Sequence, residues 1–333
     1  MKVSIITSLY NEAHNLPSLF NSIKAQTFKN FEFLITDDGS TDGTRGKLKN
    51  YCSRNLNIKI FSQSNKGLTY SLNRMIEEAG GQYIARMDAG DLSYPERIEE
   101  QVEYLDQHPY VAVVGSWVKL KYKQWSLMNL KYPNNHNFLR EMLMKRKNSF
   151  THGSIMFRKN AIDDFSQPYR FPYSQDFDFL IRISTKGKLA MIEKILYEYH
   201  ISIDSISFRN CIYQKQFSKL ALQNYKSNNK TIQTQQNIDM DVKNIMNNTK
   251  EIDKEAAKGN FYKFIGNLLL RNFYPKKAKR YYIMSFKNGK KECLLPICLC
   301  NFGKIASKLT NFIGSHIDPT WKYKISCISS DFE

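Results

Sequence analysis

Aspartates cluster early in this 333-residue chain, in places where they could do chemistry. Asp37-Asp38-Gly39-Ser40 and Asp88-Ala89-Gly90-Asp91 each follow an apolar run, and Ser8-Leu9-Tyr10-Asn11-Glu12 ends the first such run. Carboxylates and oxygen-rich turns suit hard cations such as Mg2+ or Mn2+, which bridge protein carboxylates to a substrate diphosphate. Asp88 and Asp91 stand three apart, a spacing that lets both face one ion from a turn. Asp37 and Asp38 could hydrogen-bond a ribose or a base edge. Asp, Gly and Ser are also common turn formers, but three such clusters, each just beyond an apolar strand, exceed what turns alone require. Asp176 opens the apolar stretch FDFLIRIS, where it reads as a helix N-cap or as a proton acceptor. No G-x-x-x-x-G-K-[ST] or G-x-G-x-x-G stands at a strand–helix junction, so P-loop and dinucleotide-cofactor chemistry lose their main support. H-E-x-x-H and G-x-S-x-G are absent too.

The elements that must hold these clusters alternate over the first 115 residues. Apolar, β-branched runs at 3–7, 31–35, 58–61, 83–87 and 111–114 predict strands. Between them, Leu16, Leu19, Phe20 and Ile23 recur at helical spacing, as do Leu68, Leu72, Met75 and Ile76, and then Ile98, Val102 and Leu105 behind Pro95. Such alternation implies a mostly parallel sheet covered on both faces, with ligands at the carboxyl ends of its strands. The three polar clusters fall at those ends. Residues 116–207 read as less regular. The Asn-, Lys- and Gln-rich stretch 226–250 reads as a linker or a loosely packed surface segment. Residues 252–288 read as a helical hairpin, with Phe261, Phe264, Ile265, Leu268 and Leu269 facing Ala278, Tyr281, Tyr282 and Phe286.

Lys and Arg outnumber Asp and Glu by 49 to 31, a net charge of +18, of which residues 201–333 carry +12. A basic back half can attract nucleic acid, an anionic leaflet or a phosphorylated substrate, or can be a plain solvated surface. No nucleic-acid reading motif accompanies it. An apolar helical face at 302–313 could lie in a membrane interface or pack on the hairpin. No apolar run approaches the roughly 18–20 residues of a spanning helix, and the N-terminus turns polar too soon for a signal peptide. The expected location is the cytoplasm or the inner face of the cell membrane. The six cysteines form no C-x-x-C pair, which reads as reduced thiols.

Taken in order, Ser4-Ile5-Ile6-Thr7-Ser8-Leu9-Tyr10-Asn11-Glu12, Asp37-Asp38-Gly39-Ser40, Asn65-Lys66-Gly67-Leu68, Tyr83-Ile84-Ala85-Arg86-Met87-Asp88-Ala89-Gly90-Asp91 and Tyr94-Pro95-Glu96-Arg97 resemble the family 2 glycosyltransferases. A weaker match continues through Gln175-Asp176-Phe177-Asp178 to about residue 207. The resemblance implies a GT-A fold: an α/β, Rossmann-like, mostly parallel sheet flanked by helices, here with a helical C-terminal region. It implies that Ser8, Tyr10, Glu12, Asp38 and Gly67 line the nucleotide-sugar pocket. Asp88 would hold the donor and a Mn2+ or Mg2+ ion, with Asp91 as a further ligand, and Asp176 would be the catalytic base. The implied reaction is inverting transfer from a UDP-sugar to a glycan or lipid-pyrophosphate-linked acceptor in surface polysaccharide synthesis. The expected division is a GT-A domain at 1–225, a linker at 226–250 and a basic helical region at 251–333 that meets an anionic membrane surface; no nucleic acid partner is expected. The chain departs from the family pattern at Gly90, where the family has aspartate, at Gln175, at Gly153 and at His200 and Ser202. Gly90 and Ser202 motivate the alternative of a weakened homologue that binds nucleotide sugar or glycan without turnover.

Overall fold

The protein is seen in a computed structural model that describes residues 1–51, 57–123, 125–203, 209–227, 235–249, 253–272 and 274–302. The N-terminal segments alternate as expected: β1 (Val3–Leu9), α1 (Leu16–Lys24), β2 (Phe31–Asp38), α2 (Thr44–Leu48), β3 (Ile58–Gln63), α3 (Leu68–Glu77), β4 (Tyr83–Arg86). There follow β5 (Leu92–Ser93), α4 (Arg97–Gln107), β6 (Val111–Tyr122), β7 (Trp125–Leu130), α5 (His136–Met144), β8 (Met156–Arg158), α6 (Gln175–Ile183) and β9 (Lys188–His200). In β1, Val3, Ile5, Ile6 and Leu9 are all fully buried, so both strand parities face apolar cover, as in a sheet with helices on each side. The amphipathic helices supply that cover: Leu16, Leu19, Phe20 and Ile23 of α1 and Leu72, Met75 and Ile76 of α3 are buried.

The strands join in the order β3-β2-β1-β4-β8-β6-β9-β5, with β7 paired to β6. β1 pairs in parallel with β2 and β4, and β2 with β3. β8 then joins antiparallel to both β4 and β6, and β5 antiparallel to β9, so the sheet is mixed. Residues 116–207 are more regular than the sequence implies. Glu193, Lys194 and Glu198 interrupt the apolar pattern of the 13-residue strand β9 and hide it from a periodicity reading. The chain leaves β1 to one side for β2 and β3, then returns to the other side for β4. That reversal opens a crevice at the carboxyl ends of β1 and β4. Ile6 is in register with Arg86 and Leu9 with Asp37, so Tyr10, Asp38 and Asp88 all emerge at this edge.

The chain divides into two compact units. One comprises Met1–Val118, Tyr132–His200 and Gln216–Lys243; the other comprises Lys119–Lys131, Ile201–Lys215 and the chain from Asn244 onward. The crevice belongs wholly to the first. Beyond α7 (Cys211–Ser227), α8 (Gln235–Asn248) forms a helix within the stretch read as a linker, with Ile238 buried. In the second unit the helical hairpin is present as α9 (Lys254–Arg271) and α10 (Pro275–Lys287), followed by the short α11 (Leu294–Leu299). Asp253 caps α9 by accepting from Glu255 N and Ala256 N. Phe261, Ile265, Leu268, Leu269, Ala278, Tyr281 and Tyr282 are buried, but Phe286, read as part of the same stripe, is 40% exposed. The face read at 302–313 lies almost entirely outside the described residues.

Candidate active site

The crevice wall is built by stitching loops together. After β1, Asn11 adopts φ +58°, which Asn tolerates better than most residues. Its N–H donates to Ser40 Oγ and its Oδ1 accepts from Thr41 N, at 3.0 and 2.8 Å. Glu12 N donates to Thr44 Oγ1 and Ala13 N to Asp42 Oδ2. The loops after β1 and β2 are therefore tied to one another. At Gly39, with φ +78°, a Cβ would lie 2.6 Å from Asn65 N, so only glycine lets the loop before α3 come this close. That loop is pinned by Asp38. Its Oδ1 accepts from Lys66 N and Gln63 Nε2 and its Oδ2 from Gly67 N, each at 2.8 Å. Asp38 is 3% exposed and engaged by its own chain on both oxygens. Beside it, Gly67 faces open space, Ser8 is half-buried and Tyr10 is 51% exposed at the rim.

Asp88 stands just past β4 and keeps 40% of its side chain open. Its Oδ1 pairs with the guanidinium of Arg86, which is fully buried and also donates to Met87 O at 2.6 Å. Burial works against the charge on Arg86, but Asp88 together with Tyr169 and Tyr197 offsets it, and the Arg86 pKa is raised. Asp91 is placed differently from the sequence expectation. It is 3% exposed; its Oδ2 accepts from Tyr197 Oη at 2.8 Å and its Oδ1 from His200 N at 2.9 Å. Both oxygens are turned into the protein, so Asp88 and Asp91 do not present a shared pair to one ion. Burial, and then the charge of Asp88, raises the Asp91 pKa well above the usual carboxylate range. Among the described residues, a Cβ at Gly90 would meet Asn15 Nδ2 alone, at 3.4 Å.

Across the crevice, Asp176 lies in the first turn of α6, behind Ser174 at φ +51°. Its Oδ2 accepts from Asn148 Nδ2 at 2.8 Å. Burial raises its pKa, backbone N–H groups and Asn148 draw it back, and Asp88 raises it again. Glu12 is raised too, first by burial, with Asp88 adding to it against the hydrogen bond from Asn15. Asp88 thus acts electrostatically on Glu12, Asp91 and Asp176 alike, and one site holds all four acids. Asp178, two residues on, is fully buried between Arg170 and Arg182 and has a structural task. His152 shares a 2.8 Å hydrogen bond with Tyr169 Oη; burial and the nearby Arg86 hold it neutral, well below the usual histidine range.

Sequence reasoning passed over Tyr197, Asn148 and Tyr169, whose roles depend on contacts 17 to 109 residues away. Arg86 did leave a signal: a charged residue inside the apolar strand YIAR. His200 contributes its backbone to Asp91, while its ring lies 3.4 Å from Glu198. Gly153 faces Tyr197, whose hydroxyl would lie 2.1 Å from a Cβ at that position.

The mixed sheet with flanking helices, with acids at its strand ends, is the architecture that the sequence resemblance implies. The Glycosyl transferase family 2 model matches residues 4–165. EpsE of Bacillus subtilis (strain 168) is 32% identical over 218 residues, 64% of this chain and 77% of EpsE. The O-antigen biosynthesis glycosyltransferase WbnJ of Escherichia coli is 31% identical over 183 residues, covering 54% of this chain and 71% of WbnJ. This chain belongs to glycosyl transferase family 2. Two solved structures share the fold. S. aureus TarS 1-349 in complex with UDP superposes with a TM-score of 0.54 at 17% identity, covering 86% of this chain and 89% of that one. The mannosyltransferase PcManGT from Pyrobaculum calidifontis, in complex with GDP-Man and Mn2+, gives 0.51 at 14% identity, covering 96% and 87%.

Proposed function

We propose that the protein is an inverting glycosyltransferase that moves a hexose from a UDP-sugar to a hydroxyl of a glycan or lipid-pyrophosphate-linked acceptor, in synthesis of a surface polysaccharide. The observation that carries this reading is the placement of a half-open Asp88, anchored by buried Arg86, in one crevice with the proton-acceptor candidate Asp176. The O-antigen role of WbnJ and the UDP bound to TarS support the substrate class. Asp176 takes the proton from the acceptor hydroxyl as its oxygen bonds to the sugar C1, and the bond from C1 to the diphosphate oxygen breaks on the opposite face. Its raised pKa makes it a stronger base than an exposed aspartate. Ser8, Tyr10, Glu12 and Gly67 line the nucleotide side, and Asp38 holds the Lys66-Gly67 loop against it.

Among the described residues no three His, Cys, Asp or Glu side chains form a metal-ligand cluster. That fits Mn2+ or Mg2+ ions held by one or two carboxylates plus substrate phosphates rather than by a protein cage. Asp88 is the residue that would hold such an ion, through the oxygen not paired with Arg86. When bound, the ion neutralises charge on the departing nucleoside diphosphate. PcManGT, with its Mn2+, is a precedent in the same fold.

The exposed Leu294 and Leu295, beside Lys290 and Lys291, support peripheral attachment of the second unit to an anionic leaflet. Among the described residues no helix is long and apolar enough to cross a membrane. A second reading, donor binding without turnover, is favoured by the inward-turned Asp91 and by Gly90. Release of UDP from a panel of UDP-sugars with a lipid-pyrophosphate acceptor decides between them. The transferase reading requires release that Asp176→Asn abolishes; binding of UDP without release in the wild type establishes the second.

A further inference from the structure

Tyr197 is fully buried in the middle of β9, yet its hydroxyl sits at the centre of the acid loop. The hydroxyl donates to Asp91 Oδ2 at 2.8 Å and accepts the backbone N–H of Asp88 at 3.1 Å. One phenol oxygen therefore ties both ends of Asp88-Ala89-Gly90-Asp91 to a rigid strand. His200, three residues along the same strand, donates its N–H to Asp91 Oδ1 and closes the grip. Beneath, the buried Arg97 lies 5.1 Å from the Tyr197 ring centroid and donates to Gly153 O at 2.7 Å and Arg86 O at 2.9 Å. Its Nε and Nη2 have no hydrogen-bond partner among the described residues, and burial lowers its pKa to about 10. Arg97 thus packs the ring from below and fixes the backbone on both sides of it.

Gly153 makes this arrangement sterically possible. A Cβ there would stand 2.1 Å from Tyr197 Oη, 2.8 Å from its Cζ and 3.0 Å from Asp88 Oδ2. The first distance is far inside van der Waals contact, and the ring cannot retreat because Arg97 packs against it. A side chain at residue 153 and a hydroxyl at residue 197 exclude one another.

We propose that Tyr197 is a positioning residue for Asp88, and that Gly153 is the matching vacancy that lets the Tyr197 hydroxyl reach the acid loop. The hydroxyl itself is buried behind the acid loop. It sets the height and direction of the Asp88 carboxylate, through the backbone on one side and through Asp91 on the other. Asp91 therefore serves donor binding from the interior, by orienting the hydroxyl that orients Asp88. The inference rests on the reading of Asp88 as the carboxylate that holds the donor diphosphate and its ion.

The test uses the full chain as wild type, Tyr197→Phe, Gly153→Ala and the double variant. Calorimetry measures UDP and GDP affinity with MnCl2 and with chelator, and thermal melts report folding. Tyr197→Phe keeps the ring on Arg97. It should weaken Mn2+-dependent nucleotide affinity by about tenfold, the upper worth of one hydrogen bond, with chelator-phase affinity unchanged. Gly153→Ala, whose Cβ also presses on Tyr197 Cζ and Asp88 Oδ2, should lose at least as much Mn2+-dependent affinity, and combining it with Tyr197→Phe should cost less than the two losses multiplied, because part of both effects is the same hydroxyl placement. Tyr197→Phe alone keeps the proposal testable if Gly153→Ala does not fold. Wild-type affinity in Tyr197→Phe, an equal loss with and without Mn2+, or losses that multiply in the double variant overturns it. A wild type that binds neither nucleotide in Mn2+ refutes the Asp88 reading itself, and this inference with it.

Discussion

Replacing Asp38 by Asn separates two roles for a residue that the sequence assigns to the nucleotide and the structure assigns to a loop. The Asp38 carboxylate accepts from Lys66 N, Gly67 N and Gln63 Nε2, each at 2.8 Å, at 3% exposure. Asparagine keeps one acceptor oxygen and turns an NH2 toward a backbone N–H. At least one charge-assisted bond is lost, those that remain are weakened, and a buried donor is left without an acceptor. Bonds to charged groups contribute about 1.5–3 kcal/mol each, so Asp38→Asn should destabilise the fold by about 2–4 kcal/mol. Urea unfolding of the full chain reads this as a lower midpoint. The reasoning also requires weaker UDP binding, because Gly67 and the start of α3 are released with the loop. Unchanged stability together with a large loss of UDP affinity would refute the loop role and return Asp38 to direct nucleotide contact. No change in either would show that the three bonds contribute nothing.

Asp88→Ala should abolish sugar transfer and leave Arg86 buried without its counter-ion; full wild-type turnover in excess chelator would remove the metal from the account. Gly90→Asp is sterically open at Cβ, with Asn15 Nδ2 at 3.4 Å, and should tighten the Mn2+ titration of UDP binding, whereas an unchanged titration means a carboxylate there does not reach the ion. Asp176→Asn should abolish transfer while leaving stability at neutral pH unchanged or higher. The folded-state pKa of Asp176 is raised, so its ionised form opposes folding once the pH exceeds the unfolded value; a lower melting temperature at pH 7 contradicts that sign. By the same shift, the acid limb of kcat/KM should lie above the usual aspartate value of about 3.9. Leu294→Glu with Leu295→Glu should abolish low-salt co-sedimentation with anionic vesicles; equal sedimentation with neutral vesicles in the wild type rejects the membrane role.

Local order was legible in the sequence because it is written in short-range pattern. The strands β1 to β4, the helices between them and the hairpin of α9 and α10 follow from apolar spacing, Pro and Gly punctuation and β-branched runs. The three polar clusters at strand ends located the crevice, because in a parallel α/β arrangement the carboxyl ends of the strands share one edge. Tertiary structure decided the rest. It made the sheet mixed by pairing β8, which overlaps the segment Ser154-Ile155-Met156-Phe157 that reads as an apolar strand, antiparallel between β4 and β6, a choice of partner and direction that no local pattern carries. It also separated carboxylates that look equivalent in DAGD. Asp88 opens to the crevice while Asp91 turns inward, because β9, more than 100 residues later, brings Tyr197 and the His200 backbone to that loop. A turn sequence fixes which residues can ligate. Which carboxylate faces solvent is fixed by the donors that reach the others, and those come from strands that only the folded chain brings alongside.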